Sequence, residues 1–175
     1  MKSELRYSIA AAVTCASAVF AAPASADHAA EPCQLGWSNV GPRTCAKTDF
    51  SLGPTWTLGD GVCPGMLSAT GTSFDGPLYR YTPSPGAVHS VALNILQGFT
   101  PLGEWGPLLL SCDVTAAADW HNLDTGRRGS VSRFIPSNQR LSPTTVVLDT
   151  GAGRVQVTLR TDQPNIPASI EVFVP

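Results

Sequence analysis

The chain has 175 residues and a formal net charge of −2, a size that favours one domain with a single core. This charge excludes general nucleic-acid binding, which requires a basic surface and, for single strands, interleaved aromatic side chains. No segment of the mature chain holds the ~20 apolar residues of a membrane helix, so we predict no transmembrane segment there.

The N terminus has the pattern of a secretory signal peptide. Lys2 and Arg6 precede an apolar run from Ser8 to Ala22, and Ala24-Ser25-Ala26 supplies the small residues of a cleavage site. This order of charge, apolar run and small residues is typical of an exported protein. Residues 1 to 26 are therefore predicted to be a signal peptide, and the mature chain to be secreted or associated with the cell wall.

Four cysteines remain in the mature chain: Cys33, Cys45, Cys63 and Cys112. In an oxidising compartment they predict two disulfides, and four cysteines allow three pairings. We favour Cys33 with Cys45, because this pair closes a short local loop and leaves Cys63 for Cys112. None of them has the close CxxC spacing of a zinc site, so we expect neither a metal nor another cofactor.

The chain divides into two parts after the signal peptide. Residues 27 to 66 are rich in Gly, Pro and Cys and show little periodicity, which predicts an irregular arm held by disulfides. Residues 67 to 175 carry short apolar runs separated by Gly, Pro, Asn and Asp, a pattern typical of an all-β sandwich. The predicted fold is an antiparallel β-sandwich preceded by an irregular arm.

Strands are predicted in chain order from these apolar runs. The predicted ranges are Leu67 to Gly71, Leu78 to Tyr81, Val88 to Leu96, Pro107 to Val114, Ala118 to Leu123, Gly129 to Ile135, Thr144 to Asp149, Arg154 to Arg160 and Ser169 to Val174. The last strand but one has the clearest alternation, since Val155, Val157 and Leu159 interleave with polar residues. Two hairpins are predicted, one across Asp124-Thr125-Gly126 and one across Thr150 to Gly153, because glycine permits the turn conformations they need.

The segment Leu108 to Val114, followed by Trp120 and by Asn122 to Gly126, resembles the small secreted Ig-like β-sandwich proteins of actinobacteria. The closing stretch from Thr161 to Pro175 strengthens the likeness. The resemblance covers about the last seventy residues and implies an Ig-like fold, without implying any catalytic residues. The chain departs from the immunoglobulin pattern because no cysteine follows Trp120 to complete a bridge between the sheets.

Arginines are concentrated late in the chain. Residues 127 to 160 hold six arginines and the single acid Asp149. Arg133, Arg140, Arg154 and Arg160 are the candidate ligand-binding residues of a basic patch, since guanidinium groups pair bidentately with carboxylate or phosphate. The expected partner is an anionic envelope polymer or an extracellular protein. Alternatively, these charges only solvate a sheet face and protect its edges from pairing.

Three functions are consistent with these features. The preferred one is a secreted, non-enzymatic binding or structural module of the cell envelope or extracellular space. A secreted protease inhibitor is an alternative, because compact disulfide-bonded β domains present rigid loops. A small secreted hydrolase is another, with His89 and His121 as the plausible bases, although the chain contains no Gly-x-Ser-x-Gly nucleophile elbow.

Overall fold

The computed structural model describes residues 31–35, 43–79, 86–101, 107–137 and 142–175. The predicted signal peptide and Arg140 lie outside the described residues. The strands are β1 (Cys33–Gln34), β2 (Arg43–Thr44), β3 (Lys47–Gly59), β4 (Cys63–Phe74), β5 (Ser90–Gln97), β6 (Val114–Asn122), β7 (Arg128–Ile135), β8 (Thr144–Leu148), β9 (Gly153–Thr161), β10 (Asn165–Ile166) and β11 (Ala168–Val174). No helix among the described residues is long and apolar enough to cross a membrane.

Two antiparallel sheets pack against each other to form an all-β, sandwich-like fold. One sheet has five strands in the order β10-β3-β4-β5-β8, and the other has four in the order β11-β9-β6-β7. β1 and β2 form a separate parallel pair. From β3 onward the chain changes sheet five times, once between β5 and β6 and then at each step from β7 to β11.

The core lies between the two sheets and follows from the alternation of apolar residues. On β9, Val155, Val157 and Leu159 are fully buried, because side chains at every second position of a strand face the same side. They pack with Leu93 of β5 and Leu148 of β8 in one continuous apolar cluster. The strand predicted most clearly from the sequence thus supplies the centre of the core.

β3 contradicts the prediction that residues 27 to 66 form an irregular arm. It is a strand of 13 residues, and its pattern is inverted: Thr55 and Thr57 are buried, whereas Trp56 and Leu58 are 44% and 43% exposed. The buried hydroxyls are satisfied by β9, since Thr55 Oγ1 donates to the carbonyl of Leu159 and Thr57 Oγ1 lies 2.7 Å from Thr161 Oγ1. Because the inward residues of β3 are polar and its outward residues are apolar, the hydrophobicity pattern of the sequence does not reveal this strand.

The part of the arm that precedes β3 packs on the outer face of the five-stranded sheet. Cys33, Cys45, Phe74, Leu78, Ala87 and Ala92 form a second small core there. Arg43 ties this segment to the domain through a 2.7 Å ion pair with Asp75 and a hydrogen bond to the carbonyl of Gly76. The arm therefore covers one end of that face.

The favoured disulfide pairing is confirmed. Cys33 bonds Cys45 across 12 residues, and Cys63 bonds Cys112 across 49. Gly59 makes room for the second bridge, because a Cβ at this position would lie 2.4 Å from Cβ of Cys112. The Cys63–Cys112 bridge links the start of β4 to the segment that leads into the opposite sheet.

The predicted hairpin across Thr150 to Gly153 is wrong. β8 pairs with β5 and β9 pairs with β6 and β11, so this loop crosses from one sheet to the other. Turn residues alone do not decide which strand becomes the partner, because pairing depends on distant residues. The hairpin of β6 with β7 across Asp124 to Gly126 is confirmed.

Two predicted strands are largely absent from the described residues. Residues 107–113 contribute only an isolated bridge between Phe99 and Leu109, because Leu110 adopts a φ of 56°, which a continuous strand does not accommodate. Leu78 likewise forms only an isolated bridge, with Ala87. Both segments are short connections beside the sheets.

Candidate functional site

The outer face of the four-stranded sheet is a grid of polar side chains. Because paired residues on neighbouring strands share a face, the register places these side chains in rows that cross the sheet. Three of these rows form the candidate site. The first row holds Arg154 beside the Asp124 turn. The middle row holds Glu171, Gln156, His121 and Arg128, and the third row holds Ser169, Thr158, Asp119 and Ser130. The first and the third are bonded internally, and the middle row is not.

Arg154 is held by Asp124 from the β6–β7 turn. Its Nε and Nη2 donate to Asp124 Oδ1 at 3.0 and 2.8 Å, and its backbone N–H donates to Oδ2 at 2.8 Å. The backbone hydrogen bond, together with those from the guanidinium, lowers the pKa of the Asp124 carboxyl. Arg154 is therefore committed to a contact within the domain.

The third row is bonded in a similar way. Arg160 lies two residues beyond Thr158 on β9 and donates to both carboxylate oxygens of Asp119, at 2.5 and 3.2 Å. Ser130 donates to the same carboxylate at 2.6 Å, and Thr158 lies 2.7 Å from Ser169 Oγ. Partial burial alone would raise the pKa of Asp119, but the hydrogen bonds from Arg160 and Ser130 outweigh it and the pKa is lowered.

The side chains of the middle row differ from those of the other two rows, because they form no hydrogen bonds among the described residues, although the charge of Glu171 acts on Arg154 and helps to raise its pKa. Glu171, Gln156, His121 and Arg128 lie side by side on β11, β9, β6 and β7. Within the described part of the chain, none of these four side chains makes a hydrogen bond or ion pair to another protein group. Three interstrand spacings of ~4.8 Å make the row ~14 Å long, enough to contact two or three units of a polar polymer.

A shallow, open groove of about 510 Å³ follows this row. It is lined by Asp119, Trp120, His121, Arg128, Gly129, Ser130, Gln156 and Thr158. Beneath it, the Trp120 ring is almost wholly buried, and the guanidinium carbon of Arg127 lies 5.7 Å from the ring centroid, within the range of a cation–π contact. The floor of the groove is therefore held by packing.

The four arginines of the predicted patch do not come together among the described residues. Arg154 and Arg160 do project from the outer face of β9, but each is paired with an aspartate. Arg133 pairs in register with buried Ala116, so it lies on the opposite face from them. Arg140 lies outside the described residues. The alternation of β7 separates Arg133 from Arg154 and Arg160. The aspartates that pair with Arg154 and Arg160 lie in the turn after β6 and on β6, respectively.

The two histidines proposed as catalytic bases lie apart. His89 lies just before β5, and its Nδ1 is 2.5 Å from the carbonyl oxygen of Pro175. His121 lies in the middle row of the four-stranded sheet. Ser90 Oγ donates to the carbonyl of Val88 at 2.8 Å, and Ser130 Oγ donates to Asp119. Among the described residues, neither serine is hydrogen-bonded to a histidine.

A second, apolar groove lies on the outer face of the five-stranded sheet, at the end away from the arm. It has a volume of about 420 Å³ and is lined mainly by Trp56, Leu58, Pro64, Leu110 and Ile166. Ile166 is 67% exposed, and it pairs in register with Trp56. The polar groove and this apolar groove thus lie on opposite faces of the molecule.

Sequence reasoning missed the middle row. Each member is an unremarkable polar residue at an outward position of its strand. The signal that would have found it is the register between β6, β7, β9 and β11. The β6–β7 and β9–β11 parts of that register are local in the chain, but the pairing of β6 with β9 is not.

The described residues contain one cluster with metal-ligand atoms, formed by Cys33, Cys45 and Asp75. Both sulfurs are in a disulfide, and Asp75 is paired with Arg43. This cluster is therefore structural.

Comparison of the chain with protein-family models, with curated proteins and with solved structures finds no match. Inference about its function therefore depends on the geometry of its surfaces.

Proposed function

We propose that this chain is an exported, disulfide-bonded, Ig-like β-sandwich that acts as a non-enzymatic binding module of the cell envelope or extracellular space. Two disulfides are compatible with an oxidising compartment. The signal-peptide pattern of residues 1 to 26 supports export.

The strand order supports the Ig-like assignment. β4, β5 and β8 are neighbours in one sheet, and β7, β6, β9 and β11 are neighbours in the other. Counting β4 as strand A, the order A-B-E facing C′-C-F-G is similar to that of Ig domains, although β3 and β10 extend the first sheet beyond A and the described residues hold no strand in the position of D. Trp120 then lies on strand C and is buried, as the tryptophan of an Ig domain is.

The observation that carries the binding proposal is the middle row of Glu171, Gln156, His121 and Arg128. Rows on either side satisfy their own polar groups, so the unpaired row is available to a ligand. Gln156 offers both donors and an acceptor, and Arg128 offers a planar guanidinium suited to bidentate contact with a carboxylate or phosphate. This combination suits an anionic polymer that also carries hydroxyl groups.

The ligand class that follows is an anionic envelope polysaccharide. Arg128 would bind its acidic group, while His121 and Gln156 would hydrogen-bond to hydroxyls. Glu171, at the other end of the row, would accept hydrogen bonds from hydroxyls and repel a second acidic group. The row would therefore recognise an anion at one end only.

The test is co-sedimentation of the mature chain with purified cell envelope, competed by a soluble polyuronate or by neutral dextran. We expect saturable binding that salt weakens and that polyuronate displaces more effectively than dextran. The double variant His121→Ala/Gln156→Ala should lose at least tenfold in affinity, whereas Asn94→Ala/Thr145→Ala, an exposed hydrogen-bonded pair on the five-stranded sheet, should bind as the parent does. Equal binding by both variants would overturn the assignment of the row.

A further inference from the structure

We propose that the free edge of β7 binds an extended acidic peptide, which adds to the four-stranded sheet as a fifth strand. This inference does not require the proposed function, because it rests on the backbone of β7 and on Arg133, and it shares only Arg128 with the middle row. Extended peptides bind exposed sheet edges through main-chain hydrogen bonds, and side chains supply the specificity.

The first step is to identify which backbone groups of β7 face outward. Asn122 N–H donates to the carbonyl of Arg127 at 2.8 Å, and this bond fixes the phase of the β6–β7 ladder. In an antiparallel pair, hydrogen-bonded and non-hydrogen-bonded positions alternate. The N–H and C=O groups that point away from β6 therefore belong to Arg128, Ser130, Ser132 and Phe134.

A side-chain contact agrees with this phase. Arg133 Nη1 donates to the carbonyl of Ser132 at 3.1 Å, as expected if that carbonyl faces away from β6. Within the described residues, the outward groups of β7 have no backbone partner. Among the described residues the edge therefore presents seven hydrogen-bonding groups without a partner, together with the carbonyl of Ser132, which accepts from Arg133.

The other long edge of this sheet is tied to the opposite sheet at one point. On β11, the carbonyl of Phe173 accepts a 2.7 Å hydrogen bond from Ser73 of the opposite sheet. The two edge strands are otherwise alike, since both lack proline and each carries an exposed phenylalanine, Phe134 at 62% and Phe173 at 60%. The inward position of Arg133 protects β7 from pairing with an ordinary strand, whereas an acidic side chain on an added peptide would pair with this charge.

The positive charge of β7 favours an acidic peptide. Residues 127 to 135 contain three arginines and no acid. Arg127 is paired with Asp149, whereas Arg128 and Arg133 have no acidic partner among the described residues. A second copy of this chain would bring four such guanidinium groups to one edge, so an acidic peptide is favoured over self-pairing.

The register sets the spacing of the acids. Arg128 and Arg133 are five positions apart and lie on opposite faces of β7, so the peptide needs two acidic residues five positions apart. An antiparallel peptide with an apolar residue opposite Phe134 has the form Val-Glu-Thr-Val-Thr-Thr-Glu. Its first glutamate would face Arg133 and its second Arg128.

The experiment is titration of this labelled peptide with the mature chain, followed by fluorescence anisotropy and by amide hydrogen exchange. We expect saturable binding, and slower exchange of the N–H groups of Arg128, Ser130, Ser132 and Phe134. Ser132→Pro should weaken binding at least tenfold, because proline removes an outward N–H that the fold does not use. Ser132→Ala, which keeps that N–H, should bind as the parent does.

Arg133→Glu tests the charge without changing the backbone. This variant should bind the peptide at least tenfold more weakly and should prefer the peptide with Lys in place of its first Glu. Equal affinity of Ser132→Pro and Ser132→Ala, both folded by circular dichroism, would overturn the proposal. A concentration-dependent dimer that Ser132→Pro abolishes, with no peptide binding, would overturn it in favour of self-pairing.

Discussion

The indole of Trp120 on β6 lies against Gly129 on β7, so closely that a Cβ on Gly129 would be 2.6 Å from the ring. The two residues are direct cross-strand partners, on the inner face of the sheet. Gly129 is therefore required for space, and the contact holds the floor of the polar groove.

Gly129→Ala is expected to lower the free energy of unfolding by ~1 to 3 kcal/mol, the usual cost of overpacking. The measurement is urea unfolding followed by tryptophan fluorescence. In a Trp120→Phe background, the smaller ring should leave room for the methyl group, so the same substitution should cost less. Additive costs in the double variant would contradict the contact.

Asn122 joins two turns and is fully buried. Its Nδ2 donates to the carbonyls of Thr150 and Ala152 at 3.0 and 2.9 Å, and its Oδ1 accepts from the N–H groups of Asp124 and Thr125. Asn122→Ala would leave these groups without partners. We expect a loss of ~2 to 4 kcal/mol, since each buried polar group without a partner costs ~1 to 3 kcal/mol.

Urea unfolding measures this loss too, with Thr145→Ala as a control from an exposed side-chain pair that lies on the five-stranded sheet. The control should change stability by less than ~1 kcal/mol. Equal costs for the two substitutions would show that Asn122 does not bridge the turns.

The lowered pKa of Asp119 predicts that the protein loses stability in acid. Its pKa is lowered in the folded state, so the folded protein gains stability from this group above the unfolded pKa of about 4 and loses it as the pH falls through the lower, folded pKa. Urea midpoints between pH 7 and pH 2 should therefore decline below about pH 4.

Asp119→Asn should be less stable than the parent at pH 7, by less than about 1 kcal/mol because the pair with Arg160 is partly exposed. Its stability should also decline less steeply in acid. A parallel decline in parent and variant would show that Asp119 does not contribute to the acid transition.

Glu171→Gln is expected to tighten binding of an anionic polymer to the middle row. The substitution removes a negative charge that would repel the ligand and keeps a hydrogen-bonding side chain of the same size. We expect an increase in affinity of a few fold, larger at low salt, in the same co-sedimentation assay. Weaker binding by Glu171→Gln would indicate that the ligand is neutral or cationic.

The sequence predicts those parts of the fold that depend on local pattern. The alternation in β9, the β6–β7 hairpin and the Cys33–Cys45 disulfide are confirmed because each reflects neighbouring residues or a short loop, and this disulfide leaves Cys63 for Cys112. β3 was missed because Thr55 and Thr57 face inward and are satisfied by residues about a hundred positions away. The partner of β8 was wrong for the same reason, since β5 lies some fifty positions earlier.

The candidate site follows the same division. The exposure of Arg154 and Arg160 could be predicted from alternation within β9. Their aspartate partners could not, because Asp119 lies on β6 and Asp124 in the turn that follows it. The middle row also needs the register of four strands. The apolar core can be predicted from the pattern of each strand alone. The arrangement of polar groups on the surface is less predictable, because it depends on how several strands pair.

The pairing of β3 with β10 has a consequence for the order of folding. Trp56 and Thr57 find their partners in Ile166 and Asn165, almost at the other end of the chain. A chain that is synthesised from its N terminus cannot complete this edge until residues 165 and 166 have been made, so Trp56 lacks its strand partner while more than a hundred further residues are added. Such distant pairings slow folding, and this edge should be among the last parts of the sheet to form.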